Sequence, residues 1–158
     1  MDIVRLSVPG TLLYRDVVLR VVASVCRLVR CGTGTKQGPT APNFLDDFDD
    51  KVVSAVGEAF NNIAMHAYKR VKGDAELEIG FELNRLTIRL LDAGEGFNLS
   101  GELGQDRDTL RESHMGLEIV FACMDEVSYA RGGASQRNVL TMTKRYLANA
   151  APRPAERE

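Results

Sequence analysis

The stretch Gly57-Glu58-Ala59-Phe60-Asn61-Asn62-Ile63-Ala64-Met65-His66-Ala67-Tyr68 constrains this chain more than any other. It contains no proline and no glycine after Gly57, so it reads as a helix. Glu58, Asn62 and His66 fall at i, i+4 and i+8. Each four-residue step rotates about 40° past a full turn, so the three polar groups form one drifting stripe. Ala59, Ile63 and Ala67 follow the same spacing alongside, with Phe60 and Ala64 also available for packing. A carboxylate, a carboxamide and an imidazole thus sit at the edge of a core. That position costs desolvation unless the groups have a partner.

The length of 158 residues suits one ordinary domain, expected over residues 1–147 with a disordered tail at 148–158. A net charge of −2 gives no sign of a nucleic-acid or membrane-surface partner. No apolar run approaches the roughly 20 residues of a membrane span. Asp2, Arg5, Arg15, Asp16 and Arg20 interrupt the first twenty residues, so these do not read as a secretory signal. Cys26, Cys31 and Cys123 are odd in number and lack paired spacing, and the histidines number two. A zinc site is therefore not expected, and the thiols read as packing groups of a reduced, cytoplasmic protein.

Taken in order, residues 3–8 read as a strand closed by Pro9-Gly10, and 12–29 as a helix with apolar positions at threes and fours. Leu6, Val8, Leu12 and Leu13 are expected in the core, the alternative being a surface for contact with a partner. Residues 31–43 read as a loop. Gly32-Thr-Gly-Thr-Lys36 within it lacks the spacing of a phosphate loop, since no glycine precedes Lys36 and no hydroxyl residue follows it. Residues 44–69 form the long central helix, opened by Asp46, Asp47, Asp49 and Asp50. Alternating residues 75–83 and 86–91 read as strands joined at Asn84-Arg85. Residues 98–113 read as a mobile flap, 114–124 as a helix, and 127–130 and 138–144 as strands. The order β-α-α-β-β-α-β-β predicts a two-layer α+β sandwich: a mixed, mostly antiparallel sheet with helices on one face.

Three elements carry chemistry. The first is the polar stripe. The second is Asp92-Ala-Gly94-Glu-Gly96 at a strand end, where a carboxylate can accept from an exocyclic amine such as that of adenine. Gly94 and Gly96 permit close backbone approach there. The third is Ser113-His114-Met115-Gly116-Leu117, opening a helix whose free N–H groups favour an anion. Each has an ordinary reading: a surface pair, a β-turn and a helix cap. Their joint order and spacing point to a magnesium nucleotide.

The three segments resemble the N, G1 and G2 boxes of the GHKL, or Bergerat-fold, ATPases. Within that superfamily the run from Glu58 to Lys69, and Ser113-His-Met-Gly-Leu-Glu-Ile-Val with Met124-Asp-Glu-Val127, are similar to bacterial anti-sigma-factor serine kinases. The resemblance covers residues 3–147. It implies ATP and Mg2+ as ligands, with Glu58 as the base that takes the proton from a protein serine. It implies Asn62 as the Mg2+ ligand, Asp92 as the adenine acceptor with Gly94 and Gly96 shaping the pocket, and residues 113–117 at the phosphates. Arg111 or Arg107 is the implied flap charge at the γ-phosphate, and His66 a structural group. The implied partners are a sigma factor or other regulator, an antagonist of the STAS type and a second copy of the chain. The family usually has glycine where His114 stands, and Asp106, Asp108 and Glu112 make the flap acidic. The alternative function is a nucleotide-binding module that sequesters a partner with weak or no kinase activity. A histidine-kinase role is disfavoured because helix 12–29 carries no phosphoacceptor histidine.

Overall fold

In the computed structural model, the structure describes residues 2–32, 47–68, 72–82, 84–96, 112–134 and 136–146. Strand β1 is Asp2–Pro9, followed by a 3-10 turn at Leu12–Tyr14 and helix α1 at Arg15–Gly32. Helix α2 is Phe48–Asn62 and passes without a break into a π-turn at Ile63–Ala67. Strands β2 (Asp74–Phe81) and β3 (Arg85–Asp92) form a hairpin closed by the Glu82 N–H donating to the Arg85 carbonyl. Helix α3 is Glu112–Cys123, and strands β4 (Glu126–Ala130) and β5 (Asn138–Arg145) end the fold.

The five strands form one sheet in the order β1-β2-β3-β5-β4. The expected element order and α+β architecture are present. The mixed pairing is not: every strand pair in the described sheet is antiparallel. Hairpins supply two of the four pairings, which need only short connections.

The alternation read from the sequence sets which face packs. Leu77, Ile79, Leu86, Ile88, Leu90, Leu140 and Met142 are buried and share a core with the helices. Val18, Val22, Val25 and Val29 enter it from α1, and Val52, Val56, Ala59 and Phe60 from α2. Valines are weak helix formers, so α1 is held by this packing rather than by propensity. The opposite face of the sheet is a polar ladder in which Glu78 of β2 is held by Arg5 at 3.1 Å and by Arg89 at 2.8 Å.

Two expectations need correction. Leu12 and Leu13 do not join the core; they are 51% and 81% exposed, because the 3-10 turn carries them past the end of β1. Val8 is buried as expected and Leu6 is half-buried. The proposed loop begins later than residue 31, since Cys31 and Gly32 complete α1, and residues 33–46 lie outside the described residues. Cys26 is buried and Cys123 half-buried, in keeping with packing roles.

Candidate functional site

Helix α2 is central because it packs on both of the other helices. Gly57 leaves room for the Arg15 side chain of α1: a Cβ there would lie 2.7 Å from a terminal guanidinium nitrogen. Arg15 then donates from Nε to Asn61 Oδ1 at 2.9 Å. Asn61 is thus committed to α1, while Glu58 and Asn62 turn toward α3.

Gly116 of α3 marks that second contact. A Cβ at Gly116 would stand 3.0 Å from Glu58 Oε2 and 3.6 Å from Asn62 Oδ1. The carboxylate and the carboxamide therefore lie side by side against the first turns of α3, both half-buried. One helical turn of spacing places the two oxygens on one face, as the sequence period predicts. Gly116 and Leu117 are buried there. The backbone of Ser113, His114 and Met115 lies within the first turn of α3, whose N–H groups lack intrahelical acceptors. The side chains of those three residues, and all of Arg107 and Arg111, lie outside the described part of the structure.

His66 leaves the stripe. The π-turn at Ile63–Ala67 closes i→i+5 bonds in place of i→i+4, so the angular register of α2 is lost after Asn62. His66 is exposed while Glu58 and Asn62 are half-buried.

Asp92 sits at the end of β3 on the helix-facing side of the sheet and is 6% exposed. Its Oδ1 accepts from the Gly94 N–H at 2.9 Å and from Asn138 Nδ2 at 2.9 Å. Asn138, 3% exposed, begins β5 directly opposite Asp92 in the strand register. It donates as well to the Gly94 carbonyl at 3.0 Å and accepts from the Gly132 N–H at 2.9 Å.

The turn after Asp92 is tied to the end of α2. The Glu95 N–H donates to the Ala67 carbonyl at 3.0 Å, and a Cβ at Gly94 would come within 2.4 Å of that same oxygen. Glycine is required at 94 for that close approach. The Ala93 N–H donates to the Tyr68 hydroxyl at 2.8 Å. Gly96 lies under the side chain of Arg131, whose Cγ would be 2.7 Å from a Cβ there. Thus α2 delivers Glu58 and Asn62 from its last turns, and the π-turn that continues it anchors the Asp92 turn.

Sequence reasoning missed Asn138. It opens a strand as one polar residue among many, and only the register that places it opposite Asp92 reveals it. It also passed over Tyr68, noted only as the end of a string, and Arg131. Among the described residues no helix is long and apolar enough to cross a membrane.

Comparison with known proteins bears on this arrangement. Residues 9–144 match the histidine kinase-like ATPase domain family. Serine-protein kinase RsbW of Staphylococcus aureus strain bovine RF122 / ET3-1 is 30% identical over 154 residues, covering 90% of this chain and 86% of its own length. The RsbW of strain JH9 of the same species matches with the same identity and coverage. Among solved structures, the histidine kinase domain of the Erythrobacter litoralis EL346 blue-light activated histidine kinase is similar in fold, with a TM-score of 0.53 at 16% identity. That match covers 84% of this chain, which spans 61% of the solved chain.

Proposed function

Because the chain belongs to the histidine kinase-like ATPase family of the GHKL type, with serine-protein kinases as relatives, we propose that it is an ATP-dependent serine kinase and anti-sigma factor. It acts in a bacterial partner-switching module, in the cytoplasm. It binds Mg-ATP, restrains a sigma factor or other regulator, and phosphorylates an antagonist of the STAS type on serine. A second copy of the chain completes the working unit.

The observation that carries this reading is the placement of Glu58 and Asn62 together against Gly116. Phosphoryl transfer demands positioning and charge neutralisation more than covalent chemistry. In this reading Glu58 accepts the proton of the incoming serine hydroxyl as its oxygen takes the γ-phosphoryl group and ADP leaves. Asn62 holds Mg2+ through Oδ1, which faces the start of α3. When bound, the metal neutralises charge on the transferring phosphate. Residues 113–117 contact the phosphates, with the free N–H groups of the first turn of α3 facing them, and Arg111 adds positive charge from the flap.

Asp92 fits an adenine acceptor for a similar reason. Among the described residues its two hydrogen bonds both fall on Oδ1, so Oδ2 is the atom offered to the exocyclic amine. Gly94 and Gly96 keep the floor of that pocket low.

The test is transfer of radiolabelled γ-phosphate to a cognate antagonist, with nucleotide binding followed by calorimetry. Glu58→Ala is expected to keep nucleotide binding and lose transfer by at least about a hundredfold. Asn62→Ala is expected to abolish Mg-ATP binding. Tight nucleotide binding without any transfer by the unaltered chain would replace the kinase reading with that of a nucleotide-binding regulator.

A further inference from the structure

Three successive N–H groups and one carbonyl of the turn after Asp92 are tied down, and the ties come from three different elements. The N–H groups of Ala93, Gly94 and Glu95 donate in succession to the Tyr68 hydroxyl, to Asp92 Oδ1 and to the Ala67 carbonyl. The Gly94 carbonyl accepts from Asn138 Nδ2. Two side chains outside the turn, Tyr68 and Asn138, therefore both grip it.

Tyr68 is built for that grip. Its hydroxyl donates to the Asp74 carbonyl at 2.8 Å while accepting from Ala93, so donor and acceptor are both used. Its ring fills a slot between two glycines: a Cβ at Gly10 would lie 2.7 Å from the ring and one at Gly73 only 2.0 Å. Gly10 and Gly73 are themselves joined by an N–H to carbonyl bond of 2.8 Å. Burial pushes the Tyr68 phenol above its ordinary value of 10.0, so it keeps its proton at neutral pH.

Asn138 is equally committed. Its Nδ2 donates to Asp92 Oδ1 and to the Gly94 carbonyl, and its Oδ1 accepts from Gly132. With two donors on Oδ1, the Asp92 carboxylate is fixed in one rotation about its last bond. An aspartate at 138 would set two buried carboxylates against each other, and an aliphatic residue would leave Asp92 short of a partner.

We propose that the Tyr68 hydroxyl and the Asn138 carboxamide are positioning groups for base selection: they hold the Asp92–Glu95 turn so that Asp92 Oδ2 meets an exocyclic amine rather than a carbonyl. This rests on the nucleotide-binding reading above. Adenine presents an amine where guanine presents a carbonyl oxygen, so a carboxylate fixed in place accepts from the first and repels the second. A turn that can shift lets Asp92 swing away, and the discrimination falls.

The test uses the full chain, titrated calorimetrically with Mg-ATP and with Mg-GTP. Tyr68→Phe keeps the ring in its slot and removes only the hydroxyl. It is expected to lower the ATP-over-GTP affinity ratio about three- to tenfold, the scale of one hydrogen bond. At saturating ATP kcat is retained while KM for ATP rises. Asn138→Ala lowers the ratio similarly, and the double variant loses less than the product of the two because both act on one turn. Equal weakening of both nucleotides, or an unchanged ratio in a folded Tyr68→Phe protein, overturns the inference and leaves these residues structural. Asp92→Asn separates the two levels. If it preserves the ratio, base recognition by Asp92 is wrong and the inference falls with it; if it collapses the ratio while Tyr68→Phe does not, only the inference fails. Should Asn138→Ala not fold, Tyr68→Phe decides alone.

Discussion

Gly116 is where α2 and α3 come close enough for a single atom to matter. Alanine favours helix by about 1 kcal/mol over glycine, so Gly116→Ala would stabilise α3 in isolation. Its Cβ would stand 3.0 Å from Glu58 Oε2, the swinging end of a side chain, so the carboxylate and not the fold must give way. The variant is expected to keep or raise its melting temperature while phosphotransfer drops about tenfold, a cost of about 1.4 kcal/mol in the barrier. Wild-type transfer rates alongside an intact fold would remove Glu58 from the reaction. Gly94→Ala behaves differently, because its Cβ meets the Ala67 carbonyl oxygen at 2.4 Å and backbone cannot step aside cheaply. That change is expected to destabilise the protein by about 1–3 kcal/mol in denaturant titrations and to weaken ATP binding with it. The pairing of Glu58 with Asn62 was legible in advance because it depends only on the helical period. The exit of His66 was not, since a π-turn leaves no mark in residue spacing. Asn138 was hidden for a different reason: its importance lies in a partner 46 residues away, set by strand register.

Two elements show how a string can be recognised before its purpose is known. Met124-Asp125-Glu126-Val127 helped to carry the family resemblance, and it proves to be the corner between α3 and β4. Met124 is buried. Asp125 reaches β5, where Oδ1 meets Lys144 Nζ at 3.0 Å and Oδ2 accepts from the Arg145 N–H at 2.7 Å. Lys144, almost fully buried, has its charge answered there. Burial alone would raise the Asp125 carboxyl, but the Arg145 N–H and the Lys144 ammonium outweigh it and hold it below its ordinary value of 3.8. A carboxyl lowered in the folded state contributes stability above its unfolded value and loses it as pH falls through the folded one. Asp125→Asn is therefore expected to cost about 1 kcal/mol near pH 7, discounted for the solvent exposure of the carboxylate. Unfolding midpoints of the variant and the parent should converge below about pH 4. A constant gap across that window would mean that shape and not charge makes the corner. The strands themselves were legible from their alternation, yet their antiparallel pairing throughout was not, because alternation says which face is buried and nothing about which neighbour a strand takes.

At the scale of the whole molecule, one side of the sheet is sealed by helices and an apolar set stays outside. Leu12, Leu13 and Val17 are exposed around the start of α1, with Leu28 further along the same helix and Ile3 on β1. Apolar residues at threes and fours were read as core because a helix stripe carries no label for what it faces. Here Val18, Val22, Val25, Cys26 and Val29 take the core side, while Val17 and Leu28 face out. β1 is also an edge of the sheet, with one side of its backbone unpaired among the described strands. Exposed apolar groups beside that strand edge suit an association surface, and twofold dimers are the commonest of soluble oligomers. The proposed second copy is therefore placed at β1 and the start of α1. Leu13 in the 3-10 turn and Val17 in the first turn of α1 are both exposed, so a charge at position 13 would be carried into the contact. Leu13→Glu is expected to raise the dimer dissociation constant at least about tenfold, read by sedimentation equilibrium across a range of concentrations. Removing an exposed leucine leaves the core untouched, so thermal unfolding of the variant should match that of the parent monomer. If the unaltered chain sediments as a monomer throughout, this surface belongs to a different partner and the homodimer is withdrawn.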